Sequence, residues 1–111
     1  MENLSNKARI VIAILKQNGA TDVDHKTNIF EILNTLEDMD LSTIVPEEDE
    51  YELKCIKSEM TQKSVSTTLA ALHRKGLINK TEIVTVTVDG ENKNLRCYFL
   101  GDAAKQERGG A

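Results

Sequence analysis

The sequence predicts an α+β fold, mainly helical, that ends in a two-stranded β-hairpin. Three observations predict it. Apolar residues recur at helical spacing in successive segments as far as Leu72. The stretch from Ile83 to Val88 instead alternates apolar residues with Thr, all strand formers, and Asp89-Gly90 follows it. Between these regions, Met60 to Lys80 carries a start signal and a stop signal for one well-defined helix.

At 111 residues the chain has the length of one domain, residues 1–111. Only 4% of it is aromatic, so aliphatic side chains must fill the core. No apolar run is long enough to cross a membrane, and no small-residue cleavage site follows the apolar N-terminal patch. A cytoplasmic protein with no membrane partner is expected, with Cys55 and Cys97 as reduced thiols. His25 and His73 have no ligand-spaced neighbours, so no metal is expected, and no cofactor motif is present.

An enzyme is not expected, and no residue is assigned a catalytic role. Ser64, Ser66 and Thr67 lie near His73 in sequence, but their directions on a helix do not converge with it, and no acid is placed to orient the ring. The run Glu47 to Glu50 has no shaping glycine and no neighbouring histidine or cation, which leaves a metal or general-acid role without support.

The first helix is expected over 5–18, capped by Ser5 and stopped at Asn18-Gly19. Ala8, Val11, Ile12 and Leu15 form its inner stripe, and Ile10 and Ile14 widen it. So apolar a helix either crosses the core or shares part of its surface with a second copy. A second helix is expected over 25–39, with caps offered by Asp22, Asp24 and Thr27 and a buried face from Ile29 to Leu36. Leu41 to Glu52 reads as a connection. It holds the only proline, Pro46, which makes Val45 extended, and four consecutive acids. Tyr51 to Ser58 has helical spacing at Leu53 and Ile56, which favours a short helix over 51–58, the alternative being that Tyr51 to Lys57 is a strand or irregular.

The next helix, 62–75, is the best defined. Thr61 can cap it, and Met60 and Val65 have hydrophobic-staple spacing. Val65, Leu69 and Leu72 make one apolar stripe, and Gly76 can take the left-handed conformation that ends it, with Leu77 packing back on Leu72. With Val65 inward, Lys63, Thr67, Ala70 and Arg74 point outward. That face has two cations and small groups and no acid, so it can approach a phosphate backbone closely.

For the hairpin, 81–100, two registers compete. A two-residue Asp89-Gly90 turn opposes Val88 to Glu91; a four-residue loop, 90–93, opposes Val88 to Leu95 and Val86 to Cys97. Gathering the apolar residues on one face favours the second. It puts Lys93 at the tip, with Arg96 near it. Residues 101–111 form a polar tail, with a short helix expected over 102–107.

The stretch M-T-Q-K-S-V-S-T-T-L-A-A-L-H-R-K-G-L-I, Met60 to Ile78, followed by a hairpin, resembles the winged helix-turn-helix of bacterial regulators, most nearly the multiple-antibiotic-resistance (MarR-like) branch. The resemblance implies a winged helix-turn-helix with the hairpin as wing, and 62–75 as recognition helix. It departs from the family at Glu59, where a turn glycine is common, and in the wing, which lacks the Asp-Arg pair. The scaffold helix is then 51–58 or, alternatively, Ile29 to Leu36. The function implied is sequence-selective binding of double-stranded DNA by a transcription regulator. Lys63, Thr67 and Arg74 would face the major groove, with Gln62, Ser64 and Ser66 at the helix start; Lys80, Lys93 and Arg96 would meet phosphates. The long C-terminal helices of many MarR-like dimers have no counterpart, so a homodimer would form through helix 1.

Net charge is −4, but it is unevenly distributed. Thr27 to Leu53 holds acids and no Lys or Arg, while Lys54 to Lys80 holds six cations and Glu59 as its only acid. The basic segment contains the outward helix face, as DNA binding requires. The acidic segment supports a second reading, a protein-interaction module on the same scaffold whose partner meets the acidic surface.

Overall fold

The structure, a computed structural model, describes residues 4–102. It is α+β, about half helical, with four α-helices and short antiparallel strands among the described residues. The helix expected within the polar tail lies, beyond Asp102, outside the described residues.

Helix α1, Asn6–Gln17, starts where the Ser5 hydroxyl accepts the Ala8 N–H at 3.1 Å, and ends before Gly19 at φ +70°. Ile10, Val11, Ile14 and Leu15 are wholly buried within the chain itself. This bears on assembly: the residues that made helix 1 look too apolar for one domain fill its core. Only Ile12 and Ala13 remain half-buried along the helix's apolar side.

The second helix corrects the expected start. Residues 25–28 are not helical: Thr27–Asn28 form strand β1, and α2 runs Ile29–Asp38. Asn28 is the cap, accepting from Phe30 and Glu31, while the Glu31 carboxylate accepts the Asn28 N–H at 3.1 Å. This reciprocal box outcompetes the upstream caps. Asp22, one of those, instead accepts from the backbone of Asp24 and His25 in a turn of its own.

A single 3-10 turn, Leu41–Thr43, follows, capped by Asp40, and the connection continues to Asp49 with Val45 fully buried. Asp49 caps α3, Glu50–Glu59, in which Ile56 is the buried residue. The expected helix over 51–58 therefore exists. Its packing is peripheral, mainly against the 3-10 turn.

Met60 and Thr61 separate α3 from α4, Gln62–Arg74. Val65, Leu69 and Leu72 are at most 1% exposed, so the helix is turned as its stripe requires. At its end Gly76, φ +77°, donates to His73, and Leu77 donates to the Leu72 carbonyl at 3.0 Å. Those two bonds satisfy carbonyls the helix leaves open and turn the chain into strand β2, Ile78–Lys80. Helix α4 packs mainly on α1, then on β2 and α2, so of the two helices just before it α2, more than α3, supports it.

The hairpin register is the second correction. Strand β3, Val84–Val88, pairs with β4, Glu91–Leu95, as Val88 opposite Glu91, Val86 opposite Lys93 and Val84 opposite Leu95. The turn is Asp89-Gly90, with φ 52° and 81°. Two positive φ values are what a tight hairpin turn of matching twist requires, and Asp-Gly supplies them. The four-residue loop failed because the apolar residues need not share one strand face. Strand β5, Cys97–Leu100, leaves the hairpin and joins a separate sheet of order β1-β5-β2, with Cys97 and Leu100 in the interior. Between the Lys80–Tyr98 and Val84–Leu95 pairs, residues 81–83 oppose only 96 and 97. This one-residue bulge changes which face each strand presents. Thr81 stitches it, donating its N–H to the Cys97 carbonyl at 2.9 Å and accepting the Cys97 N–H on its hydroxyl at 3.0 Å.

Candidate nucleic-acid interface

Helix α4 presents Gln62, Lys63, Ser66, Thr67, Ala70 and Arg74 to solvent. The helix is fixed at its N-terminus by the Thr61 hydroxyl, which accepts the Ser64 N–H at 3.3 Å. Ser64, half-buried, sits on the flank, where its carbonyl accepts the Thr68 hydroxyl at 3.0 Å. Thr67 lies at the centre of the outward face and donates its hydroxyl to the Lys63 carbonyl at 3.0 Å. Its proton is thus engaged within the helix, and its oxygen lone pairs and methyl remain available.

Lys63 and Arg74 are eleven positions apart, which at 1.5 Å per residue is roughly 16 Å along the helix. Lys80 is exposed on β2, just beyond the helix. Among the described residues, none of these three cationic side chains takes part in an ion pair or hydrogen bond. A free cation retains its whole charge for an incoming anion.

The strand candidates are arranged differently. Lys93 is not at the tip. It is half-buried, its Nζ 3.5 Å from Glu91 and 5.8 Å from the centre of the Phe30 ring on α2. Arg96 is exposed but donates to the Thr81 carbonyl at 3.0 Å, across the bulge. The tip carries Asp89 and Glu91 in place of a cation. The α4 residues share one helix face and Lys80 lies on the strand that follows; Arg96 is anchored at Thr81, next to Lys80, while Lys93 is held against α2.

The acidic segment is partly engaged within the fold. Glu47 pairs with Arg9 of α1, whose guanidinium also donates to the Ile44 carbonyl at 2.8 Å. The hydrogen bond from Arg9 to Glu47 holds the Glu47 carboxyl below the usual range. Glu48 accepts from Asn6 at 2.7 Å, Glu31 closes the α2 cap, and Asp49 and Asp40 are caps too. Asp40 is also lowered, by its bonds from Ser42. Glu37, Asp38 and Glu52 stay exposed.

One feature had no signal in the sequence. An open groove of about 390 Å³ lies where the end of α1 meets β1 and α2, lined by Asn18, Lys26, Thr27, Glu31, Asn34 and Thr35. Its floor is a chain of bonds: Thr35 to Asn18, Asn18 to Thr27 and Thr27 to Glu31, at 2.7, 3.2 and 3.0 Å. Asn18 comes from the end of α1, 9 positions from Thr27 and 17 from Thr35, and the shared use of these groups appears only once the strand has formed. Burial raises the Cys97 thiol and the Tyr98 phenol above their ordinary values. Among the described residues no cluster of His, Cys, Asp and Glu could hold a metal ion, and no helix is long and apolar enough to cross a membrane.

Comparison with family models, with curated proteins and with solved structures finds no match.

Proposed function

We propose that this chain is a winged-helix protein that binds double-stranded DNA through α4, acting as a cytoplasmic transcription regulator. The observation that carries the proposal is the outward face of α4: exposed, free of acids, small at its centre, and flanked by cations with no internal partner. Such a face can enter a major groove closely, with Gln62, Ser66 and Thr67 near base edges. Lys63, Arg74 and Lys80 then neutralise phosphates. The order of elements supports the reading, because α2 packs under α4 and strands follow it directly. In this version of the motif the hairpin contributes little to the DNA, since its tip is acidic and its cations are engaged elsewhere.

The test is binding to random-sequence duplexes and to duplexes selected from a random pool, at several salt concentrations. A DNA reader loses affinity as salt rises, with a slope of about 0.9 per phosphate contact. Salt-independent or absent binding, on every duplex tried, refutes the proposal. The interaction-module reading then gains, resting on Tyr51, which is 72% exposed on α3 between Glu50 and Glu52.

A further inference from the structure

We infer that strand β3 is a self-pairing edge, through which two copies of this chain join in an antiparallel, two-fold β-ladder. The inference does not depend on DNA binding.

Among the described residues the hairpin is a sheet of two strands, so each has an outer edge. Those edges differ. Strand β4 reads Glu-Asn-Lys-Asn-Leu and is guarded by an ion pair between Lys93 and Glu91. Strand β3 reads Val-Thr-Val-Thr-Val, with no charge, proline or glycine, and Ile83 extends it at 60% exposure. An uncharged edge of β-branched residues is a template for another strand. No element besides β4 packs extensively along β3 among the described residues.

The sequence of β3 also states which strand fits it. Val84 to Val88 reads the same in both directions. Paired antiparallel about Val86, two copies place Val84 opposite Val88, Val86 opposite Val86 and Thr85 opposite Thr87. Every valine then meets a valine on one face, and every threonine a threonine on the other, both favourable cross-strand pairs. A two-fold interface needs such self-complementarity.

Hydrogen bonding selects the same register. The residues flanking a two-residue turn bond to each other, so Val88 and, by alternation, Val86 and Val84 direct their backbone groups at β4. The N–H and C=O of Thr85 and Thr87 are left pointing outward. The palindromic register brings Thr85 against Thr87 of the other copy at both ends, so those are the groups that pair. Val86 falls on the axis as the close, non-bonded pair. The threonine hydroxyls are already ordered, donating to Asn94 at 2.8 Å and to Asn92 at 3.1 Å. The product is one four-stranded sheet of order β4-β3-β3-β4, with a charged strand at each margin.

Cysteine scanning of the full chain, in a Cys55→Ser background, tests the register. Two Val86 positions across the axis have Cα atoms roughly 4.5 Å apart, within disulfide reach. Two Thr85 positions are offset along the ladder to roughly 8 Å, beyond it. Under mild oxidation Val86→Cys is expected to form a disulfide-linked dimer at least ten times faster than Thr85→Cys. The unsubstituted protein is expected to show concentration-dependent dimerisation in sedimentation equilibrium up to about 1 mM, the weak end of the affinity scale. Val86→Lys, whose far-ultraviolet spectrum and unfolding midpoint report that it folds, is expected to be monomeric. Equal crosslinking of the two cysteines, a monomer throughout that range, or a dimer that survives in folded Val86→Lys overturns the inference. All readouts are taken without DNA, so they leave the DNA-binding proposal untouched.

Discussion

The Lys93 ammonium lies 5.8 Å from the centre of the Phe30 ring. One residue is on β4 and the other on α2, so the contact leans the hairpin on the helix body. A cation over a ring at a partly exposed site contributes about 0.5–1 kcal/mol. The same ammonium faces Glu91 at 3.5 Å, so it is already shared between two partners. Lys93→Ala is therefore expected to speed hydrogen exchange of the β3 and β4 amides and to leave the salt slope of DNA binding unchanged. A slope lower by about one would show that Lys93 reaches a phosphate.

Ile14 and Leu72 are buried to 0% and 1% exposure and belong to one core. Leu72→Ala should lower stability by about 2–5 kcal/mol, the usual range for such a truncation. Ile14→Glu buries a carboxylate among aliphatic groups, so it should unfold the chain and not yield a folded monomer. Denaturation midpoints, with circular dichroism of the Glu variant, decide both. A folded, monomeric Ile14→Glu protein would restore helix 1 as a dimer surface.

How much of this was legible in the sequence depended on range. Helix α4 was read closely, because its cap, stripe and Gly76 stop are local and agree with one another. The start of α2 was missed because Thr27 and Asn28 pair with Tyr98 and Cys97, a contact across about seventy positions that no local signal announces. The hairpin register was missed for a related reason. Periodicity assigned Cys97 to the same ladder as Val86, and the bulge opposite Arg96 breaks that ladder. Of the candidate interface, the helix residues followed from direction alone. Lys93 and Arg96 did not, since their partners Phe30 and Thr81 depend on the tertiary path.

The Asp89-Gly90 turn can be tested directly. Gly90 holds φ +81°, where a side chain is strained, although open space surrounds the position. Gly90→Ala should then cost about 1–2 kcal/mol from backbone conformation alone. Asp89→Asn should be nearly neutral, because Asn tolerates the left-handed region as well as Asp does. Equal unfolding midpoints for Gly90→Ala and the unsubstituted chain would favour the longer loop.

Glu47 offers a pH-dependent signature. Its carboxyl is lowered in the folded state, chiefly by the hydrogen bond from Arg9. A lowered group contributes stability that is present above its unfolded value and lost as pH falls through its folded value. The stability difference between the unsubstituted chain and Glu47→Gln should thus be constant above about pH 5 and shrink below about pH 4. Because the pair is on the surface, the difference should also shrink at high salt. Unfolding curves across that pH range provide the check, and a difference that does not change with pH would assign the contact no role in solution.

Arg74 and Thr67 share the outward face of α4, but their chemistry predicts different losses. Arg74 is near the C-terminal end of the helix, and recognition helices enter the groove by their N-terminal part. Arg74→Ala should weaken binding to all duplexes alike and lower the salt slope by about one. Thr67 has its hydroxyl proton engaged by the Lys63 carbonyl, so toward DNA it can only accept a bond or offer its methyl. Thr67→Val keeps the shape and the methyl and removes the acceptor. If a base amino group donates to Thr67, both Thr67→Val and Thr67→Ala should cost about 1–3 kcal/mol on a selected site and much less on random DNA. If the methyl is what meets the base, Thr67→Ala alone should do so. Lys63→Ala should follow the base pattern, given its place in the first turn. Selected and random duplexes that lose affinity equally with the Thr67 and Lys63 substitutions would leave α4 as a phosphate-binding helix that reads no sequence.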